Sequence, residues 1–188
     1  MTAAYIGLGA NLPSPAGPPE ATLAAAAERM ASLGRVVGRS RLYSTTPVGL
    51  ADQPRFLNAA IALETEPSPR SLLQGLLAIE RNFGRDRTAN ILNGPRTLDL
   101  DILLFGDFIV SEPDLKIPHP RLSERAFVLV PLSEIAPQAR DPRTGASVLQ
   151  LRCALFPNSG SERQAVFPVE SSLWRPGPDC DDAGASCP

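Results

Sequence analysis

Lysine is almost missing from this chain: Lys116 is the one lysine among 18 basic residues, and the formal net charge is -2. There is no basic blanket for a phosphate backbone, so no nucleic-acid partner is expected. A single histidine, His119, excludes a multi-histidine metal site. The three cysteines, Cys153, Cys180 and Cys187, fall in the last 36 residues without C-x-x-C spacing. They predict neither a metal clip nor a disulfide framework. No apolar run approaches the roughly 18 residues that span a bilayer. The opening MTAAYIGLGAN lacks a basic stretch and a cleavage pattern, so a cytoplasmic location without membrane association is expected. Several chemical signatures are also missing. There is no G-x-x-x-x-G-K-S/T, no G-x-S-x-G and no H-E-x-x-H, and Gly7-Leu8-Gly9 continues without a third glycine. Any nucleotide site must therefore be built from side chains.

What is present describes one ordinary soluble domain: 188 residues, 43% hydrophobic and 20% charged. Charge and pattern both change near residue 150. Residues 1–150 hold 15 basic and 15 acidic side chains, and 151–188 hold 3 and 5. A domain over 1–151 and a low-complexity, disordered tail over 152–188 are expected. Within the domain, 3–9 reads as a buried strand and 20–33 as a helix capped by Gly34. Strands follow at 36–43 and 56–65. Ser68 as N-cap and Pro69 at the first position open a second helix, with Leu72, Leu76, Ile79 and Phe83 on one stripe, and Gly84 closes it. Residues 98–105 give the fourth strand, and 108–151 a hairpin with one or two short helices. The order β-α-β-β-α-β predicts an α+β, ferredoxin-like sandwich, its helices packed on one face of an antiparallel sheet.

The sharpest local feature is Gly94-Pro95-Arg96-Thr97-Leu98-Asp99-Leu100-Asp101-Ile102. Strand alternation turns Leu98, Leu100 and Ile102 one way and Asp99 and Asp101 the other, with the aspartate Cα atoms roughly 7 Å apart. Two carboxylates so placed repel each other, and a hard divalent cation such as Mg²⁺ relieves that. A solvated polar face fits the same pair. Arg81, Arg85, Arg87 and Arg96 before the pair, with Arg121 and Arg125 after it, match phosphate oxygens. They could also serve as partners for nearby acids. His119 lies between Pro118 and Pro120, where a held imidazole can bond a phosphate oxygen or simply pack. Phe56 and Asn58 share one strand face, a ring and an amide of the kind that recognise a flat heterocycle, and Phe127 can join them. Both rings also suit a core.

In order, YIGLGANL, YSTTPVG, DQPRFLNAAIALET, AIERNFGRDR, NGPRTLDLDILLFG and IPHPRLSERAFVLVPLSEIAP resemble the 6-hydroxymethyl-7,8-dihydropterin pyrophosphokinases of folate biosynthesis. The resemblance covers about residues 1–150, and GPRTLDLDI is its most specific block. It implies transfer of a diphosphate from ATP to the pterin hydroxymethyl group, releasing AMP. It also implies that Asp99 and Asp101 hold two Mg²⁺ ions, and that Arg87 and Arg96 assist the transfer. The pterin would lie between Phe56 and Phe127, read by Asn58 and by the backbone near Thr45 and Val48. ATP would meet Glu80, Arg87, Arg96, Ile102, His119 and Arg125, with a lid from Arg85 to Gly94. The partners implied are ATP and a reduced pterin, taken up by a monomer, with neighbouring folate enzymes as plausible associates. The chain departs from the family pattern at Leu92-Asn93, where Arg-Trp is common, and at Leu77, Asp114 and Pro120. These departures make a weakly active, pterin-binding relative the competing expectation. A metal-dependent phosphate hydrolase would use the same aspartates but needs water at the phosphorus. A non-catalytic RNA-binding module would need an aromatic signature that the sequence lacks.

Overall fold

The computed structural model describes residues 1–47, 49, 52–86, 94–155 and 165–177. Strand β1, Thr2–Ala10, leads into helix α1, Pro19–Arg29. Strands β2, Arg35–Arg39, and β3, Leu42–Thr45, precede the long strand β4, Phe56–Thr65. Helix α2, Pro69–Asn82, and strand β5, Asp99–Phe105, complete the repeat. The sheet runs β5-β1-β4 with β2 and β3 both paired to β4, every neighbour antiparallel. This is the expected ferredoxin-like order. Helix α2 starts where its sequence says it should: Ser68 Oγ accepts the Ser71 N–H at 3.2 Å, and Gly84 at φ +78° ends the run.

Four local expectations are corrected. The strand expected over 36–43 is broken at Ser40-Arg41, because Ser40 Oγ takes the Ala60 N–H at 2.9 Å while the Arg41 N–H turns away to the Glu134 carboxylate at 2.9 Å. Gly34 is not a left-handed helix cap. A Cβ there would stand 2.3 Å from the Glu64 carbonyl oxygen, so glycine is needed for close backbone approach. The helices also cover both faces of the sheet. Ala4, Ile6 and Leu8 face α1 and α2, whereas Ala60, Leu103 and Leu104 face two further helices, α3, Ala126–Ile135, and α4, Val148–Leu155. A bulge makes this second core: Tyr5 pairs with Leu104 and Ile6 with Ile102, leaving Leu103 as the extra residue. The hairpin β6–β7, Val110–Glu112 and Leu115–Ile117, precedes α3 as expected.

The fourth correction concerns the tail. Helix α4 runs past residue 151, and within 165–177 a strand β8, Val166–Val169, pairs with β3. Pro168 suits this strand because it lies at the sheet edge. Trp174 is 2% exposed, donates its indole N–H to Ser40 O at 2.7 Å, and lies beneath the Arg39 guanidinium. Composition misread this stretch because its anchorage is long-range: strand pairing with β3, the Trp174 indole on Ser40 O, and the Gly177 N–H on Arg39 O at 2.9 Å. Cys153 is disulfide-bonded, against the expectation from cysteine spacing, to a partner outside the described residues.

Candidate active site

Strand alternation on β5 does what its sequence requires. Leu100 and Ile102 lie in the core against α1 and α2, and Asp99 and Asp101 line a cleft on the opposite face. Directly across on β1, Gly9 pairs with Asp99 and Gly7 with Asp101, and on the other side Gly9 pairs with Asn58 of β4. The two glycines form the cleft floor. A Cβ on Gly9 would stand 3.1 Å from Asn58 Oδ1, and one on Gly7 would stand 3.2 Å from Leu103. Sequence reasoning did not assign these glycines. The available signal was their period-two spacing inside an apolar strand, which marks close approach to a neighbour or ligand.

Charge around the aspartates is dense. Arg96 Nη1 lies 2.6 Å from Asp99 Oδ2, Arg85 Nη2 lies 3.5 Å from Asp99 Oδ1, and Arg125 lines the same cleft. Guanidinium forks gathered around two carboxylates suit a polyphosphate that arrives with a cation. His119 is fixed by its N–H to Leu103 O at 2.9 Å, following the cis Ile117–Pro118 bond. Burial, aided by the Arg125 charge, pushes its pKa down to about 4, against a weaker pull from Asp99. The imidazole is therefore neutral near pH 7. Its Nδ1 accepts the Arg121 N–H at 3.1 Å, which leaves the proton on Nε2, 3.9 Å from Asp101 Oδ2.

At the other end of the cleft, Asn58 is 6% exposed and donates through Nδ2 to Thr45 Oγ1 at 2.8 Å. Phe56 and Phe127 line the cleft, each with a guanidinium over its ring: Arg96 at 5.6 Å from the Phe56 centroid and Arg125 at 5.5 Å from the Phe127 centroid. Thus Asp99, Asp101, Arg96, Arg125, Thr45, Phe56, Asn58 and Phe127 share one cleft, and His119 abuts Asp101. Two expected ATP contacts are placed elsewhere. Glu80 is 1% exposed and accepts the Leu100 N–H at 2.8 Å, so its carboxylate braces β5 from below. The Ile102 side chain lies in the core, which leaves only its main chain for a ligand. Val48, Arg87 and Leu92-Asn93, with most of the expected lid, lie outside the described residues.

Among the described residues no group of three or more His, Cys, Asp or Glu side chains could cage a metal ion. Asp99 and Asp101 nevertheless fit Mg²⁺, which takes one or two hard carboxylates and completes its shell with phosphate oxygens and water. Both are partly open to the cleft, with side chains 21% and 41% exposed. Among the described residues no helix is long and apolar enough to cross a membrane.

Comparison with known proteins agrees with this geometry. The chain is 46% identical over 159 residues to the 2-amino-4-hydroxy-6-hydroxymethyldihydropteridine pyrophosphokinase of Pseudomonas aeruginosa, covering 85% of this chain and 94% of that protein. It is 45% identical over 165 residues to the enzyme of the same name from Methylorubrum extorquens, covering 87% and 99%. The crystal structure of Plasmodium falciparum HPPK-DHPS superposes with a TM-score of 0.64 at 16% identity, over 81% of this chain and 44% of that one, which supports the fold. Residues 5–137 match the model of 7,8-dihydro-6-hydroxymethylpterin-pyrophosphokinase (HPPK), and the chain belongs to that family.

Proposed function

We propose that this protein transfers a diphosphate group from ATP to the hydroxymethyl group of 6-hydroxymethyl-7,8-dihydropterin, releasing AMP, as a step in folate biosynthesis. The observation that carries the reading is the cleft itself: Asp99 and Asp101 face Asn58 across a floor of two glycines. That juxtaposition suits an anionic phosphate chain at one end and a flat heterocycle at the other.

Phe56 and Phe127 are the stacking surfaces for the pterin. One of the two Asn58 amide N–H groups is engaged by Thr45 Oγ1, which orients the carboxamide so that Oδ1 and the second N–H are left to read the pterin edge. Arg96 holds Asp99 in the ligand-free protein and turns to phosphate oxygens when ATP binds. Arg125 and the neutral His119, donating through Nε2, are the other phosphate contacts, with Arg87 assigned by its place in the family pattern. Asp99 and Asp101 hold Mg²⁺, two ions being the expected number, and the cation supplies charge neutralisation and Lewis acidity at the phosphates. The pterin hydroxyl attacks the β-phosphorus in line. The new bond is O–Pβ, the bond broken joins Pβ to the oxygen bridging to Pα, and AMP leaves with that oxygen. Alignment and charge stabilisation carry the rate, as in phosphoryl transfer generally. The hydroxyl proton passes to water or to a phosphate oxygen of the departing AMP, and no residue stands out as an obligatory general base.

The substrates proposed are small molecules only, taken by a monomer, and a structural neighbour named HPPK-DHPS supports association with other folate enzymes. We assign the reaction to the cytoplasm, where ATP is available. The test is AMP formation from ATP and Mg²⁺ with and without the pterin, for the parent and for Asp99→Asn and Asp101→Asn. Release that requires pterin and disappears in both variants is expected. AMP formed equally without pterin would convert the reading to a hydrolase.

A further inference from the structure

We propose that Asn11 is a positioning residue that ties the pterin end of the cleft to its phosphate end. The proposal rests on the diphosphotransferase reading above. Asn11 follows β1, is 3% exposed, and is not among the side chains lining the cleft. Every polar atom of its amide is engaged. Oδ1 accepts the Arg96 N–H at 2.8 Å, while Nδ2 donates to Gln53 Oε1 at 3.1 Å and to Pro54 O at 3.0 Å. The main chain adds two bonds, since the Asn11 and Leu12 N–H groups both donate to Arg96 O at 3.0 and 3.1 Å. The amide orientation is settled by its partners, because a backbone N–H can only donate and the Pro54 carbonyl can only accept.

The consequence is geometric. One side chain holds the peptide of Arg96, whose guanidinium reaches Asp99 and covers Phe56. The same side chain holds Pro54, two residues before Phe56 and four before Asn58. Few residues could replace it. Aspartate offers acceptors without the donors, leucine has the shape without polarity, and glutamine is a methylene too long. In-line attack requires the pterin hydroxyl and the β-phosphorus to share one frame, and errors of about 1 Å can reduce rate by about 10²-fold. A clamp between the Arg96 peptide and Pro54 supplies that frame.

The test uses the full chain with Asn11→Asp, Asn11→Ala and Gln53→Ala. Pterin binding is read by its fluorescence and binding of a Mg²⁺-loaded non-hydrolysable ATP analogue by calorimetry. Steady-state kinetics of AMP formation provides the third readout. Asn11→Asp keeps the acceptor for Arg96, and the Gln53 amide can turn to donate, but Pro54 O loses its donor. Its pterin Kd is expected to rise about tenfold, the scale of one hydrogen bond, with the nucleotide Kd within about twofold. Asn11→Ala releases both arms, so both Kd values rise and kcat falls about tenfold or more below that of Asn11→Asp. Gln53→Ala removes the side-chain acceptor of Asn11 Nδ2 and leaves the Pro54 and Arg96 arms in place, so it raises the pterin KM and leaves the nucleotide KM alone. It keeps the test decisive if Asn11→Ala does not fold. The proposal is overturned if Asn11→Asp weakens both ligands equally or neither, or if the variants lower only the unfolding midpoint. A parent protein that binds nucleotide but no pterin sinks the diphosphotransferase reading itself, and the clamp with it, before any variant is compared.

Discussion

The two faces of the central sheet use the same strands for opposite purposes. Toward α1 and α2, Ala4, Ile6, Leu8, Leu63, Leu100 and Ile102 form a continuous apolar layer. The other face is divided. Tyr5, Ala60, Leu103 and Leu104 pack against α3 and α4 at one end, while Gly7, Gly9, Asn58, Asp99 and Asp101 open to a cleft at the other. Repelling carboxylates and side-chain-free glycines are poor building material. They are tolerated because the opposite sides of the same residues' neighbours are fully buried. Stability and chemistry are thus separated by strand alternation, one residue apart in sequence.

The largest expected effects test that separation directly. Leu76→Ala, on the buried stripe of α2, should lower folding stability by about 2–5 kcal/mol through lost burial and a cavity. Ligand affinities of the folded fraction should stay unchanged. Asp101→Asn should do the reverse, lowering AMP formation by about 10²–10³-fold or more, the scale for losing one preorganised electrostatic stabiliser. Its denaturant midpoint should remain near the parent's. Denaturant titration and kinetics on both variants decide this, and a matched loss of stability and activity in Asp101→Asn would show that the faces are not independent.

The next effect belongs to the cleft but is read as stability. His119 has a folded pKa of about 4, below its ordinary value of 6.5, so the fold favours the neutral imidazole. Between those values the unfolded chain binds more protons than the folded one, and stability falls as pH falls. In the ligand-free protein the loss begins below about pH 6.5, is complete near pH 4, and amounts to about 3 kcal/mol from this group. His119→Gln should flatten that part of the curve when urea midpoints are measured from pH 7 to 4.

Glu80 sharpens the comparison because it comes from the buried face and acts on the open one. Its carboxylate holds the Leu100 N–H between the two aspartates. Glu80→Ala should lower stability by about 1–3 kcal/mol by stranding a buried donor. Glu80→Gln retains an acceptor and should recover most of that. Neither should change the KM for ATP by the factor expected of a direct contact, whereas a selective rise in that KM would restore Glu80 as a nucleotide ligand.

How much of this was legible in the sequence depends on the range of the interaction. Ser68, Pro69 and Gly84 mark α2 through contacts with near neighbours, and the aspartates share a face because of alternation within one strand. The glycine floor is different, since Gly7 and Gly9 gain meaning only from the register that sets them against Asp101, Asp99 and Asn58. The role of Glu80 depends on α2 crossing beneath β5. The bulge at Leu103, which turns two successive leucines into the second core, has no signature in DILLF. The aromatic pair Phe56 and Phe127 was compatible with a core or a cleft until the position of α3 was known.

The smallest expected effect lies farthest from the chemistry, at Trp174. Its indole N–H donates to Ser40 O where β2 and β3 part, and its ring packs with the α1 and α2 core. Trp174→Phe retains much of the apolar body and removes that one bond, so a loss of about 1 kcal/mol is expected by denaturant titration. Because Ser40 lies at the break in the strand, the loss should appear as earlier hydrogen exchange in 35–45 and 165–177. The KM values for both substrates should not move. A change in pterin KM would instead mean that the β8 strap helps to hold Thr45, which pairs with Val166, and through it the Asn58 amide. The edge of the sheet would then count as part of the cleft.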